Sequence, residues 1–139
     1  MPTFAHAEAQ AILVSLFRQL GKKHRVHGVT ELRLRMASDL FRIPDVVVFA
    51  GPRPAEAVPS SPPLVVIEVT SPDDRYHDLL QKLEEYRAWG IPHIWVVEPE
   101  LRQLHVNTSD GLARVNQFEL SEFDFRIAGT ELFTEPTSR

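Results

Sequence analysis

Two carboxylates stand at positions that burial alone does not explain. Glu68 interrupts the otherwise apolar run 65–69, and Asp45 follows Pro44 and opens the apolar run 46–49. An ionised carboxylate in a buried strand costs several kcal/mol unless a cation or hydrogen-bond donors compensate for it. If the two strands are neighbours, both carboxylates can converge on one point. Paired oxygen ligands suit a hard divalent cation such as Mg²⁺.

Each carboxylate also has an ordinary structural explanation. Asp45 could be a turn residue that caps the start of its strand, and Glu68 could face solvent from one side of a sheet. Taken together, the two positions favour a functional interpretation, because both acids interrupt segments that otherwise call for full burial.

Lys82 is the third candidate for chemistry. A helical wheel places it beside the apolar stripe of the second predicted helix, on the same flank as Arg75 and Asp78. From there a long side chain can reach over the sheet edge towards a phosphate oxygen or a bound water. The structural alternative is a surface pair with Asp78, four residues earlier, which is worth about 0.3–0.5 kcal/mol.

The elements that must position these residues follow the order α-β-β-β-α-β-β. A helix before a central sheet, and a second helix that crosses over between strands, predict a three-layer α/β fold with a mixed sheet. Helices are predicted from 4 to 21, capped by Thr3, and from the N-cap Ser71 to Gly90, with Tyr76 in the apolar stripe. Strands are predicted over 29–36, 41–51, 64–71, 93–99 and 103–107, with a short strand or edge segment after about Leu112.

Composition narrows the class of protein. The length of 139 residues predicts a single domain over 1–139, and the absence of cysteine excludes cysteine nucleophiles and thiolate zinc sites. No apolar run is long enough to span a membrane and no signal peptide is visible, so we expect a cytoplasmic protein. The net charge of −4 argues against nucleic-acid binding by bulk positive charge. Basic residues nevertheless concentrate early in the chain, where they form either a phosphate-facing surface or ordinary solvated faces. They are Lys22, Lys23, Arg25, Arg33, Arg35 and Arg42.

Three segments together resemble the PD-(D/E)XK nuclease superfamily. They are Ile43-Pro44-Asp45, the segment 67–72 (IEVTSP) and the stretch KLEEYRAWGIPHIWVVEP that begins at Lys82. The similarity is greatest to the Uma-type branch, whose members are described as putative restriction endonucleases, and it runs from about His6 to Val106. The resemblance implies a restriction-endonuclease-like core, a metal-dependent phosphodiesterase site and DNA as the substrate.

The resemblance also assigns roles to residues. Asp45 and Glu68 would bind Mg²⁺, for which Mn²⁺ could substitute, with the backbone carbonyl of Val69 as a further ligand. Two residues after Glu68 this chain has Thr70, where the general superfamily pattern has lysine. The Uma-type branch commonly supplies the lysine from the helix instead, which here means Lys82.

Three further residues are accessory candidates. Glu31 and His6 resemble positions of the branch that are frequently acidic or histidine, and Asp78 lies one turn before Lys82. The simpler interpretations are an exposed Glu31 that pairs with Arg33 or Arg35, and a histidine on the helix surface at position 6.

The leading functional hypothesis is therefore a Mg²⁺-dependent DNA endonuclease. One alternative is a catalytically silent nucleic-acid-binding or assembly module with the same fold, and another is a small-molecule-binding domain that uses the same carboxylates. Cleavage of both DNA strands, by analogy with restriction enzymes, would favour a homodimer.

Overall fold

The computed structural model describes residues 3–133. Its helices are α1 (Phe4–Leu20), α2 (Tyr76–Trp89) and the short α3 (Gly129–Leu132). Its strands are β1 (Val26–Thr30), β2 (Leu34–Ala37), β3 (Leu40–Arg42), β4 (Val46–Ala50), β5 (Val65–Val69), β6 (His93–Glu98), β7 (Gln103–Thr108), β8 (Gly111–Val115), β9 (Gln117–Leu120) and β10 (Phe125–Ala128).

A six-stranded sheet in the order β1-β4-β5-β6-β7-β8 separates two apolar layers. Strands β5 and β6 run parallel, with α2 as the crossover between them, and the other neighbours in this sheet are antiparallel. Helix α1 and the β9–β10 pair cover one face, while α2 and the β2–β3 hairpin cover the other. The predicted α/β class, with a central mixed sheet and flanking helices, is confirmed.

Helix α1 forms as the sequence predicts. The Thr3 side chain accepts a hydrogen bond from the His6 backbone N–H at 3.1 Å, which caps the first turn. Phe17 is fully buried against the sheet, and Gly28 on β1 makes this packing possible. A Cβ atom at position 28 would lie 2.8 Å from the Phe17 Cβ, so glycine allows the helix to approach the strand closely.

The first two predicted strands are each divided, which corrects the predicted order of elements. β1 ends at Thr30, Glu31 adopts a left-handed backbone with φ 51°, and the chain then forms the β2–β3 hairpin instead of continuing in the main sheet. The alternating pattern of 29–36 is real, but two short strands produce the same period as one long strand. The segment 41–51 divides at Pro44, which cannot donate to a ladder.

The start of α2 differs from the prediction. The helix begins at Tyr76, and Arg75 is an N-cap without a side-chain hydrogen bond. Ser71 instead donates its backbone N–H to the Asp74 carboxylate at 2.8 Å and accepts from the Asp74 N–H at 3.0 Å, a local turn that competes with the helix. Tyr76 is consequently 63% exposed and does not join the apolar stripe. The predicted stop at Gly90 is observed, with φ 100°.

Candidate active site

Asp45 and Glu68 lie opposite each other on neighbouring strands. The antiparallel register pairs Val46 with Ile67, so one further step places Asp45 across from Glu68. The residues two positions inward, Val47 and Val66, pack in the layer under α2. Because alternate residues of a strand share a face, both carboxylates belong to the α2 side of the sheet. The two acids therefore point to the same side, as the functional interpretation requires.

Glu68 is buried in a polar pocket at the end of β5. Its side chain accepts a hydrogen bond from the Tyr86 hydroxyl at 2.6 Å, and the Lys82 ammonium lies 3.5 Å from its other oxygen. Burial is the main cause that raises its pKa to about 7, and the neighbouring Asp45 charge raises it further. Lys82 and Tyr86 lower the pKa but do not offset these causes. At neutral pH the isolated carboxyl is thus poised between its two forms.

Tyr86 is a site residue that the sequence analysis did not single out. It is fully buried under the sheet, but its hydroxyl is aimed at Glu68. Burial, followed by the Glu68 charge, raises the pKa of the phenol, which keeps the hydroxyl a neutral donor. Tyr86 lies one helical turn after Lys82, and this spacing was the available signal that both side chains face the same carboxylate.

Asp45 is held by the neighbouring strand and by α1. One carboxylate oxygen accepts the Val69 backbone N–H at 2.7 Å, and the other lies 3.4 Å from the His6 ring nitrogen Nε2. The Gln10 amide donates to the Asp45 backbone carbonyl at 3.0 Å. His6 is only 7% exposed, so it is a buried residue of this site and not a surface histidine. Gln10 carried no sequence signal, because its partner lies far away along the chain.

The remaining candidates lie at the margin of the cluster. Glu31 donates its backbone N–H to the Asp45 carbonyl at 3.1 Å, and its carboxylate accepts from Gln10 at 3.4 Å. Glu31 is exposed, as the simpler interpretation expects, but over residues 3–133 it forms no ion pair with Arg33 or Arg35. Asp78 is exposed in the first turn of α2, and Lys82 pairs with Glu68 instead of with Asp78.

The donor set fits a Mg²⁺-type cation. In the described part of the chain, no group of three or more His, Asp or Glu side chains is placed to hold a metal ion together. Mg²⁺ does not need one, since it is usually held by one or two carboxylates and keeps several waters or substrate oxygens. The Asp45 charge raises the pKa of Glu68, and a divalent cation between the two carboxylates would offset this repulsion.

Comparison with known proteins places the chain in a family. The model of Uma2, described as "Putative restriction endonuclease", matches residues 1–133, so the chain belongs to the Uma2 family. The crystal structure of a putative nuclease belonging to DUF820 from Anabaena variabilis has the same fold, with a TM-score of 0.83 at 20% sequence identity. That match covers 96% of this chain and 82% of the other. No curated protein matches the chain. Among helices within residues 3–133, none is long and apolar enough to cross a membrane.

Proposed function

We propose that this protein is a Mg²⁺-dependent endonuclease that hydrolyses phosphodiester bonds of DNA. The observation that carries the proposal is the juxtaposition of Asp45 and Glu68 on one face, with the Lys82 ammonium 3.5 Å from Glu68. Two acids at the end of adjacent strands and an amine from α2 fit the hydrolysis of a phosphate ester. Membership in the Uma2 family supports the same reaction class.

Asp45 and Glu68 would hold the cation, with the Val69 carbonyl as a further ligand; Mn²⁺ could replace Mg²⁺. When bound, the ion polarises the scissile phosphate and activates a water. Tyr86 fixes one oxygen of Glu68, and the Val69 N–H fixes one oxygen of Asp45. These hydrogen bonds orient the two carboxylates before substrate arrives, which is how surrounding groups tune a metal site.

Lys82 would stabilise charge that develops on the phosphoryl oxygens. Its side chain is 31% exposed, so the ammonium contacts both the buried Glu68 and the solvent from which DNA approaches. A preorganised cation at this point costs no rearrangement during the reaction. His6 and Gln10 are positioning residues, since they contact Asp45 and its backbone from α1.

The test is cleavage of supercoiled plasmid DNA with Mg²⁺ or Mn²⁺. Asp45→Asn and Glu68→Gln should each lower the rate by more than about 100-fold, a loss typical when an electrostatic group is removed from an active site. Glu119→Gln is the matched control, because the same change is made on an exposed residue of β9 on the far side of the sheet. We expect this control to cut like the wild type.

Two results would contradict the proposal. DNA binding without cleavage in either metal would support a catalytically silent module, and absence of DNA binding at every salt concentration would favour a small-molecule-binding domain. A DNA nuclease would act in the cytoplasm, and a cut in both strands would call for a homodimer, which sedimentation of the DNA complex would detect.

A further inference from the structure

The β2–β3 hairpin has two chemically different faces. Leu34 is buried in the layer under α2, and Arg42, opposite it in the register, binds Glu85 of α2 at 2.7 Å. Phe41 lies opposite Arg35 and therefore faces the other way, away from the core. We call this second side the outer face of the hairpin. It carries Arg33, Arg35 and Phe41.

The outer face presents two cations that the protein does not neutralise. Arg33 and Arg35 are both exposed, and within residues 3–133 neither guanidinium forms an ion pair. The Arg33 guanidinium lies over the Phe41 ring, 4.2 Å from its centroid. This cation–π contact restricts the arginine side chain, and a guanidinium without an ion pair keeps its donors available for phosphate oxygens. The aromatic ring itself stays 37% exposed.

The hairpin is attached to the helix that contributes to the candidate active site. Arg42 contacts Glu85 on the same helix that supplies Lys82 and Tyr86 to the site. On its other strand, the Arg35 backbone N–H donates to the Pro59 carbonyl at 2.9 Å. The hairpin is thus joined to elements next to the carboxylates, because one strand contacts α2 and the other contacts the loop that follows β4.

The outer face and Asp45 are close enough along the chain to contact one nucleic-acid substrate. Phe41 precedes Asp45 by four positions, so their backbones lie at most about 14 Å apart. Along a duplex axis this distance corresponds to about four base pairs, at 3.4 Å per phosphate of one strand. A duplex whose scissile phosphate sits at Asp45 and Glu68 would therefore bring neighbouring phosphates within reach of the outer face.

We propose that the outer face of the β2–β3 hairpin binds the phosphate backbone of duplex DNA next to the cleavage site. This inference rests on the proposed function. In a chain with a net charge of −4, the hairpin offers an unpaired basic surface adjacent to the carboxylates, and its charge is complementary to the DNA backbone. Phosphate contacts of this kind fix the position of the duplex and carry no sequence information.

The test measures DNA binding without cleavage. Fluorescence anisotropy of a short labelled duplex, in EDTA and at several salt concentrations, gives the slope of log K against log salt. The slope is negative, and each lost phosphate contact makes it shallower by about 0.9, so the double variant Arg33→Ala plus Arg35→Ala should make it shallower by about 2. We expect the affinity at ~100 mM salt to fall roughly tenfold. Arg126→Ala, an exposed arginine on β10 across the sheet, is the control and should bind like the wild type.

A second variant separates charge from fold. Arg33→Lys plus Arg35→Lys keeps both charges, so it should keep a slope close to that of the wild type. An equal loss in the lysine and alanine variants, or an unchanged slope in the alanine variant, overturns the hairpin inference while DNA binding by the wild type still stands. Failure of the wild-type protein to bind or cleave DNA with Mg²⁺ present, at any salt concentration, overturns the proposed function itself.

Discussion

The two faces of the β4–β5 pair have opposite compositions. Towards α1, the two strands contribute only aliphatic side chains, and these pack against Phe17 and Trp95. Towards α2, the aliphatic pair Val47 and Val66 gives way to Asp45 and Glu68 at the end of the strands. Both faces are set by the same alternation of side chains, so the difference lies entirely in which residues the sequence places there.

This difference separates stability from chemistry. The α1 face buries apolar groups in a close-packed layer, which stabilises the fold at about 25 cal/mol per Å². The α2 face buries a carboxyl whose pKa is raised by loss of solvent, which is unfavourable for the metal-free protein above neutral pH. The α1 face therefore stabilises the sheet, and this stabilisation offsets the unfavourable burial of the Glu68 carboxyl on the α2 face.

The largest expected effect is a truncation on the α1 face. Ile67 is fully buried next to Glu68 but points to the opposite side. Ile67→Ala should lower the free energy of unfolding by about 2–5 kcal/mol, because it removes apolar contacts and leaves a cavity. Urea denaturation measures the change. Ile43→Ala is the control, since Ile43 is 56% exposed and its truncation should cost less than about 1 kcal/mol. Equal losses of unfolding free energy in the two variants would show that burial of the side chain does not determine the cost of its truncation.

On the α2 face, we expect a substitution that stabilises the protein, in contrast to the loss of stability expected for Ile67→Ala. Glu68 has a pKa of about 7 in the folded protein against 4.5 as its ordinary value, so the folded state holds the proton more tightly. This contribution to stability is complete below about pH 4.5 and is lost as the pH rises through about 7. Glu68→Gln does not titrate. The free energy of unfolding of this variant, relative to that of the wild type, should therefore increase by about 3 kcal/mol across that interval when no divalent metal is present.

The same pH series has an internal control. Glu122 accepts a hydrogen bond from His93, which lowers its pKa, and it lies at the surface. The contribution of Glu122 to stability is present at higher pH and is lost as the pH falls. Glu122→Gln should therefore change the dependence of stability on pH only weakly, and in the direction opposite to that of Glu68→Gln. A difference between wild type and Glu68→Gln that does not change with pH would show that Glu68 keeps one protonation state throughout.

The sequence predicted the parts of the molecule that have strong periodic patterns. The apolar stripe of α1 and the β-branched runs of β4 and β5 define their own structure, because burial on a helix or strand demands those periods. The end of α2 was also predictable, since Gly90 takes a positive φ that favours glycine. Breaks within a periodic pattern were not predictable from the sequence. The turn at Glu31 keeps the alternation on both sides, and the Ser71–Asp74 turn offers the backbone hydrogen bonds that a helix would otherwise provide.

The candidate site was predictable to the extent that its residues disturb their surroundings. Asp45 and Glu68 interrupt apolar runs, and this contrast marks them in one sequence. Gln10 and Tyr86 follow the expected pattern of their own helices, so their roles depend on contacts with residues that are distant along the chain. Tertiary pairing brings them to the carboxylates, and apart from the one-turn spacing between Lys82 and Tyr86 no local rule encodes it.

The smallest expected change in stability is at Lys82, whose loss should instead reduce activity. Its side chain is 31% exposed and its ion pair with Glu68 is long, at 3.5 Å. Lys82→Ala should therefore change the melting temperature little, since partly exposed pairs contribute at most about 1 kcal/mol and Glu68 can take up a proton when the cation is removed. The rate of plasmid cleavage should fall by about 100-fold. Arg87→Ala, which breaks an exposed pair with Glu84 on the same helix, should change neither quantity. A melting temperature lowered by several degrees with cleavage intact would make Lys82 a structural residue of the α2 face, and the chemistry would then rest on the two acids alone.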